Sequence, residues 1–336
     1  MLEVSVIICS HNPNLNYLRR TLDALRAQTL SKHCWELILV DNASKPALAS
    51  LLDISWHPSA RHIVETELGL APARRRGINE ASADLLVFVD DDNLLDPSYL
   101  SEALAISREW VQLGTFGSGA IIPEFERQPA DYLKKFLHLL ALRQNDRDVW
   151  SNVISSPTVT PWGAGLCVRK EVARAYSEFS DRSSFSIIDR QGQSLVSGQD
   201  VEISYFACTL GLGMGIFTAL RLTHLIPKER VEEGYLLRMV EGQDLSCALL
   251  AYKWLGAIPQ SPLSLRGFLT FAKTVLLRGK IDRRVYFANL RATLKARRMI
   301  YAERKQSQKD NRKSGGTELV PSVTPKFRSN ASRENI

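Results

Sequence analysis

Residues 84–93 read DLLVFVDDDN. Leu85 to Val89 is an unbroken apolar run rich in β-formers, which predicts a strand buried on both faces. Asp is poor inside a strand, so Asp90, Asp91 and Asp92 fall at its C-terminal end. In an open α/β sheet, ligands bind outside that edge. Three carboxylates this close repel one another unless a positive charge sits among them. A divalent metal bridging phosphate oxygens is one such charge. A solvated acidic turn would present the same residues, so the weight of the motif depends on whether other stretches reach the same edge.

Several do. Val4 to Cys9 is a second continuous apolar run and predicts a central parallel strand, followed by the turn-rich loop SHNPN. Leu15, Leu18, Leu22 and Leu25 recur at helical spacing and predict an amphipathic helix ending near Gln28. Trp35 to Val40 predicts the next strand, which ends in the polar residues Asp41 to Ser44. This is a βαβ unit, whose right-handed crossover places both strand ends on one edge. Residues 46–60 hold a short helix and the turn His57-Pro58, and Arg61 to Val64 predicts a short strand. Ala71 to Ala81 predicts a helix with Pro72 in its first turn and Arg74, Arg75 and Arg76 close behind. A helix N-terminus flanked by Arg suits a phosphate, although each arginine taken singly fits a solvated face better.

Beyond the acidic triplet the pattern predicts a helix over Pro97 to Gln112 and a Gly-rich strand over 116–122. It then predicts an amphipathic helix over 130–142 and a polar, mobile loop over 143–160 that carries Trp150. A short strand from Gly165 to Val168 leads into a helix, and residues 180–198 read as loop. Asp200 and Glu202 open a helix running to about Leu210, with Asp200 placed to cap it. A short strand lies within Gly211 to Leu220, and Thr223-His224 precedes LIPKERVEEGYLLRMVEG. In that stretch Arg238 is expected to pair with Glu232 or Glu233, and Arg230 faces either those carboxylates or a phosphate.

With 336 residues, 45% hydrophobic and 24% charged, the composition is that of a soluble globular chain. No apolar run reaches the ~18 residues of a transmembrane helix. The start MLEVSVIICSHNP lacks a basic signal-peptide region. The five cysteines are scattered without a CxxC pair, which predicts reduced core thiols in a cytoplasmic protein. Charge is split. Residues 266–336 hold 18 Lys/Arg against 5 Asp/Glu, whereas residues 1–265 hold 25 against 31. Residues 264–278 and 285–301 alternate apolar with basic positions, a pattern that fits an interfacial helix or one packed back on the domain with its basic face in water. The tail, 303–336, has the composition of disorder. The interfacial reading of the helices implies peripheral contact with an anionic membrane surface and the packed reading none, and the scarcity of aromatics in the tail argues against nucleic acid.

Taken together, the motifs resemble those of the family-2 glycosyltransferases. VSVIICSHNPN resembles the family's first strand, V-S-V-I-I-x-x-x-N, and ILVDNASK its second strand with a nucleotide-binding Asp. ELGLAPARRRGINEASADLLVFVDDD resembles G-x-x-x-A-R-N-x-G-x-x-x-A running into the DxD motif. WGAGLCVRKE and SGQDVEISY resemble the acceptor-side glycine turn and the E-D motif. The similarity covers residues 2–245. It implies a GT-A fold: an α/β, mostly parallel nucleotide-binding sheet flanked by helices, here with a basic helical C-terminal extension. The expected divisions are 1–245 for the GT-A domain, 246–302 for the extension and 303–336 for the tail.

The resemblance also implies roles. The backbone around Ile8 and Ser10 and the side chain of Asp41 would hold the base, Arg74 would sit in the family's Arg position, and Asp90 would contact the ribose. Asp92 and His224 would hold a divalent metal, Mg or Mn, on the diphosphate, and Asp200 would be the general base. Two residues depart from the family pattern: Arg75 stands where Asn is frequent, and Gln199 where a carboxylate is frequent. The implied activity is inverting transfer of a sugar from a nucleotide-sugar donor to a saccharide or lipid-linked acceptor. Two alternatives stand beside it. A nucleotidyltransferase would need a Gly-rich loop after the first strand, which SHNPN lacks. A non-catalytic nucleotide-sugar-binding scaffold would have Gln199 in its favour.

Overall fold

Strand β1 (Val4–Ser10) pairs in parallel with β2 (Trp35–Asp41) on one side and with β4 (Leu85–Val89) on the other. The computed structural model describes residues 1–182, 185, 195, 198–262, 271 and 273–313. Strand β3 (Ala60–Val64) extends the parallel block beyond β2. On the other side β9 (Leu166–Arg169) pairs antiparallel with both β4 and β6 (Leu113–Phe125). Strand β10 (Gly213–Ile226) runs parallel to β6, and the three-residue β5 (Asn93–Leu95) closes the edge antiparallel to it. The order is β3-β2-β1-β4-β9-β6-β10-β5, with β7 (Arg143–Gln144) on β6 and β8 (Val149–Ser151) on β10.

The continuous apolar runs exist because the sheet is covered on both faces. Val4, Val6, Ile8, Val87 and Val89 point into a core shared with Leu18, Leu22 and Leu25 of α1 (Leu15–Arg26) and with Tyr99 and Leu100 of α3 (Tyr99–Glu109). Their alternates Ile7, Leu86 and Phe88 face the other core. There they meet Ala73 and Ile78 of α2 (Leu70–Glu80), Tyr176 of α4 (Lys170–Arg182) and Ile203 of α5 (Gln199–Thr209). Because β1, β2 and β4 are parallel, Ser10, Asp41 and the residues after Val89 emerge at one edge.

Several expectations need correction. Residues 131–140 form a 3₁₀ helix, closed by Ala141 in the left-handed region. The expected mobile loop over 143–160 carries β7 and β8. The short strand expected within 211–220 continues to Ile226 across a register shift between Phe217 and Arg221, and so carries His224 into the sheet.

The boundary expected after residue 245 falls inside α6 (Glu233–Leu255), which stops at Gly256 (φ 68°), where glycine suits the left-handed backbone. The second basic segment lies within α7 (Lys280–Lys313), so residues 303–313 of the expected disordered tail are helical. Helix α7 lies parallel to α6: Glu233 pairs with Arg284, Glu241 with Arg291, and Tyr252 hydrogen-bonds Glu303. Ala288, Ala292, Ala296 and Ile300 are fully buried and recur every four residues, so small side chains let the helix approach closely. Arg284 and Arg291 reach back to α6, while Arg283, Lys295, Arg298, Arg304 and Lys305 are exposed. Residues 263–270 and 314–336, with most of 183–197, lie outside the described residues. Among those described, no helix is long and apolar enough to cross a membrane.

Candidate active site

Ser10, Arg74, Asp90, Asp91, Asp92, Asp200, His224 and Arg230 line one cleft of about 1370 Å³ at the C-terminal edge of β1 and β4. The acidic triplet divides its labour. Asp91 accepts the Ser10 hydroxyl. Burial first, and then the adjacent Asp92 charge, push its carboxyl up to about 6, while the Ser10 bond opposes the shift. Ser10 therefore uses its side chain to hold Asp91. Cys9 also lines the cleft, but burial pushes its thiol up to about 12, which leaves it unreactive.

Of the residues expected to hold the base, Ile8 can offer only its backbone, and Asp41 is engaged in its own loop. Ile8 is fully buried in the core, and the cleft lining on β1 begins at Cys9. Asp41 is buried, and its two oxygens accept the amides of Ser44 (2.9 Å) and Leu48 (2.8 Å). Burial opposes its charge, yet these bonds hold its carboxyl below the usual range. Asp41 thus closes the 42–48 turn. Its neighbour Asn42 lines the cleft instead. Asn42 Nδ2 donates to the carbonyls of Glu65 and Glu67, and its Oδ1 accepts the Gly69 amide at 2.8 Å. Asn42 therefore sets the loop that starts α2, whose N-terminal residues Gly69 and Leu70 face the cleft.

The three arginines of α2 separate. Arg75 pairs with Asp181 (2.8 Å) and Glu67 (3.2 Å), and Arg76 with Glu80 (3.0 Å). Arg74 alone of the three enters this cleft, its guanidinium 5.6 Å from the Phe88 ring centre.

Asp200 does not cap α5, whose cap position is Gly198. Instead its Oδ2 accepts the Gly163 amide at 2.7 Å. A Cβ on Gly163 would lie 3.1 Å from Arg74 Nη2 and 3.5 Å from Asp200 Oδ2, so glycine keeps these groups close. At Gly165 (φ 71°) a Cβ would collide with the Tyr99 hydroxyl, which donates to the Gly165 carbonyl at 2.6 Å.

Trp162 lines the cleft beside Asp200, with the Arg143 guanidinium 3.7 Å from its ring centre. Burial pushes Arg143 down to about 10, with the Asp200 charge pulling the other way. Trp150 lies away from the cleft, packing edge-on against Trp110. The contact of Arg143 with Trp162 was invisible in the sequence because 18 residues and the short strand β8 lie between the pair.

At the far side, His224 Nε2 lies 3.5 Å from Asp92 Oδ2, so the two expected metal ligands meet. Arg230 Nη1 is 3.0 Å from Asp92 Oδ2 and 3.2 Å from His224 Nε2. Arg238 lies over the Tyr235 ring, while its expected partners Glu232 and Glu233 pair with Arg127 and Arg284. A converging carboxylate and imidazole fit a divalent cation, with Asp92 supplying the hard oxygen that Mg²⁺ or Mn²⁺ prefers. Among the described residues no three His, Cys, Asp or Glu side chains are grouped to hold a metal. A cation here would need oxygens from outside the chain, as Mg²⁺ commonly takes from phosphates.

Sheet order and flanking helices define a mixed α/β fold similar to that of GT-A glycosyltransferase structures. Residues 5–115 match the model of Glycosyl transferase family 2. Polypeptide N-acetylgalactosaminyltransferase 8 of Drosophila melanogaster is 36% identical over 107 residues, 31% of this chain and 18% of that protein. The O-antigen biosynthesis protein RfbC of Myxococcus xanthus is 25% identical over 238 residues, 66% of this chain and 17% of that protein. The chain thus spans under a fifth of the length of either relative. The solved structure of the mannosyltransferase PcManGT from Pyrobaculum calidifontis, in complex with GDP-Man and Mn²⁺, has a TM-score of 0.50 and 15% identity, covering 94% of this chain and 83% of that one. At that identity the likeness is one of fold.

Proposed function

We propose that the protein is an inverting glycosyltransferase that moves a sugar from a nucleotide-diphosphate donor to a hydroxyl acceptor, in the assembly of a surface polysaccharide or glycolipid. One observation carries this reading: Asp200, held by the Gly163 amide, shares a cleft with the carboxylates at the end of β4. A base on one side and a diphosphate site on the other are what single displacement at an anomeric carbon needs.

Asp200 takes the acceptor proton as the acceptor oxygen bonds to the anomeric carbon. The bond from that carbon to the phosphate oxygen breaks, and the nucleoside diphosphate leaves from the opposite face. Arg74 and the open N-terminus of α2 face the donor's negative charge. Asp90 holds the ribose, and Trp162, backed by Arg143, offers a face on which a sugar ring can stack. Asp92 and His224 would hold a Mg or Mn ion, which when bound would supply Lewis-acid neutralisation of the leaving diphosphate.

The same reading places the protein in the cytoplasm, peripheral on the inner face of the membrane. Leu276 and Leu277 are 76% and 74% exposed, and Lys273, Arg278 and Lys280 beside them are exposed as well. Such a patch suits an anionic bilayer surface.

The test of the transferase reading is a thermal-shift panel of nucleotide sugars with Mn²⁺ or EDTA. A ligand that binds only the folded state raises Tm. One donor should raise Tm in a metal-dependent way, and Asp92→Ala should remove that shift. Asp200→Asn should keep the donor shift and lose transfer. A variant that retained transfer would remove Asp200 from the chemistry.

A further inference from the structure

We propose that Arg230 and the divalent cation compete for one seat, and that Arg230 leaves it for the donor diphosphate, so that cation and donor bind cooperatively. This rests on the metal reading above. Arg230 Nη1 is 3.0 Å from Asp92 Oδ2 and 3.2 Å from His224 Nε2, the two atoms that would ligate the cation.

The exclusion comes from His224. A guanidinium can only donate, so Nε2 accepts with its single lone pair and the ring proton resides on Nδ1. That lone pair can meet Arg230 or a metal, but not both. The Asp92 oxygen imposes no such limit, since a carboxylate oxygen has two lone pairs. Nδ1 is buried with no hydrogen-bond partner, so the ring has no second bond holding it in this arrangement.

The backbone of Arg230 is fixed. It lies in the one-turn 3₁₀ helix Lys228–Val231, and its amide donates to the Pro227 carbonyl at 3.0 Å. Only the side chain needs to swing. Without a ligand, the guanidinium offsets the charge of three adjacent carboxylates. A divalent ion on Asp92 and His224 would repel it, and a diphosphate in the same cleft would give it new oxygens to bind. Each ligand therefore favours the arrangement the other needs. Linkage requires that the coupling be equal in both directions.

The test is Mn²⁺ binding to the full chain, followed by electron paramagnetic resonance of the free ion, with and without UDP or GDP. Wild type should bind Mn²⁺ weakly alone, and the cognate nucleotide should tighten it by about tenfold or more, within the usual range of coupling. Arg230→Gln should bind Mn²⁺ about tenfold more tightly without nucleotide, and nucleotide should then add little. Arg230→Lys, which keeps the charge but loses the planar fork, should fall between them. It serves as the second variant should Arg230→Gln not fold.

If the variants bind Mn²⁺ as wild type does, or more weakly without nucleotide, Arg230 does not compete and the proposal fails. If neither wild type nor variants bind Mn²⁺ under either condition, the metal reading itself fails. Asp92→Ala, which should abolish binding in every case, separates this site from stray Mn²⁺ sites.

Discussion

His57 shows how much one side chain far from the cleft can govern. Its ring lies 4.0 Å from that of Trp35 and also contacts Trp56. Nδ1 accepts the Ser59 amide, and Nε2 is buried without a partner. Burial, followed by the Lys32 charge, pushes its pKa down to about 4 from an ordinary 6.5. The unfolded chain therefore binds the proton first on acidification. His57 contributes stability that is fully present above pH 6.5 and is lost as pH falls towards 4. The gap corresponds to about 3 kcal/mol. Urea midpoints of wild type should drop across that window, and those of His57→Leu should drop much less. Parallel curves for the two would show that the acid loss lies elsewhere.

At the scale of elements, the helices behind the cleft are tied at Glu202. This α5 side chain is 3% exposed, pairs with Lys253 of α6, and accepts the Tyr176 hydroxyl of α4 at 2.9 Å. Asp200 lies two residues before Glu202 in the same first turn of α5, so this tie also anchors the turn that carries the proposed base. A buried pair is weak evidence of net stability, but breaking one leaves a charge stranded. Lys253→Ala should cost about 3 kcal/mol by urea unfolding. A loss below about 1 kcal/mol would mean that Glu202 is rehydrated or neutralised in the variant, as buried charges can be.

The whole molecule raises a different question, which is how a basic extension coexists with the α/β core. Helix α7 spends its alanine face on packing and leaves its charges outside, while Leu276 and Leu277 just ahead of it remain exposed. Full-length protein should sediment with vesicles containing anionic lipid and much less with neutral ones, and salt should weaken the binding. Leu276→Asp with Leu277→Asp should reduce sedimentation at least several-fold without moving Tm. Binding that survives both substitutions would assign the contact to another surface.

The ordered motifs were legible because each is local. Strand ends follow from apolar runs, helix faces from spacing, and the shared edge from the handedness of βαβ units. That logic reached the acidic end of β4 and the Arg74 helix, whereas the roles expected of Asp200 and His224 came from the resemblance to family-2 glycosyltransferases. Neither source showed that the Asp41 side chain closes its own loop, because a strand-end residue can turn to its loop as readily as to the cleft. The Asp92–His224–Arg230 cluster joins β4, β10 and the turn after it, and Arg143 reaches Trp162 from another strand. The amino-acid sequence by itself determined the sheet, its polar edge and the kinds of chemical group offered there. Only the tertiary structure decided which groups face one another, because contacts across distant segments depend on packing that no local periodicity encodes.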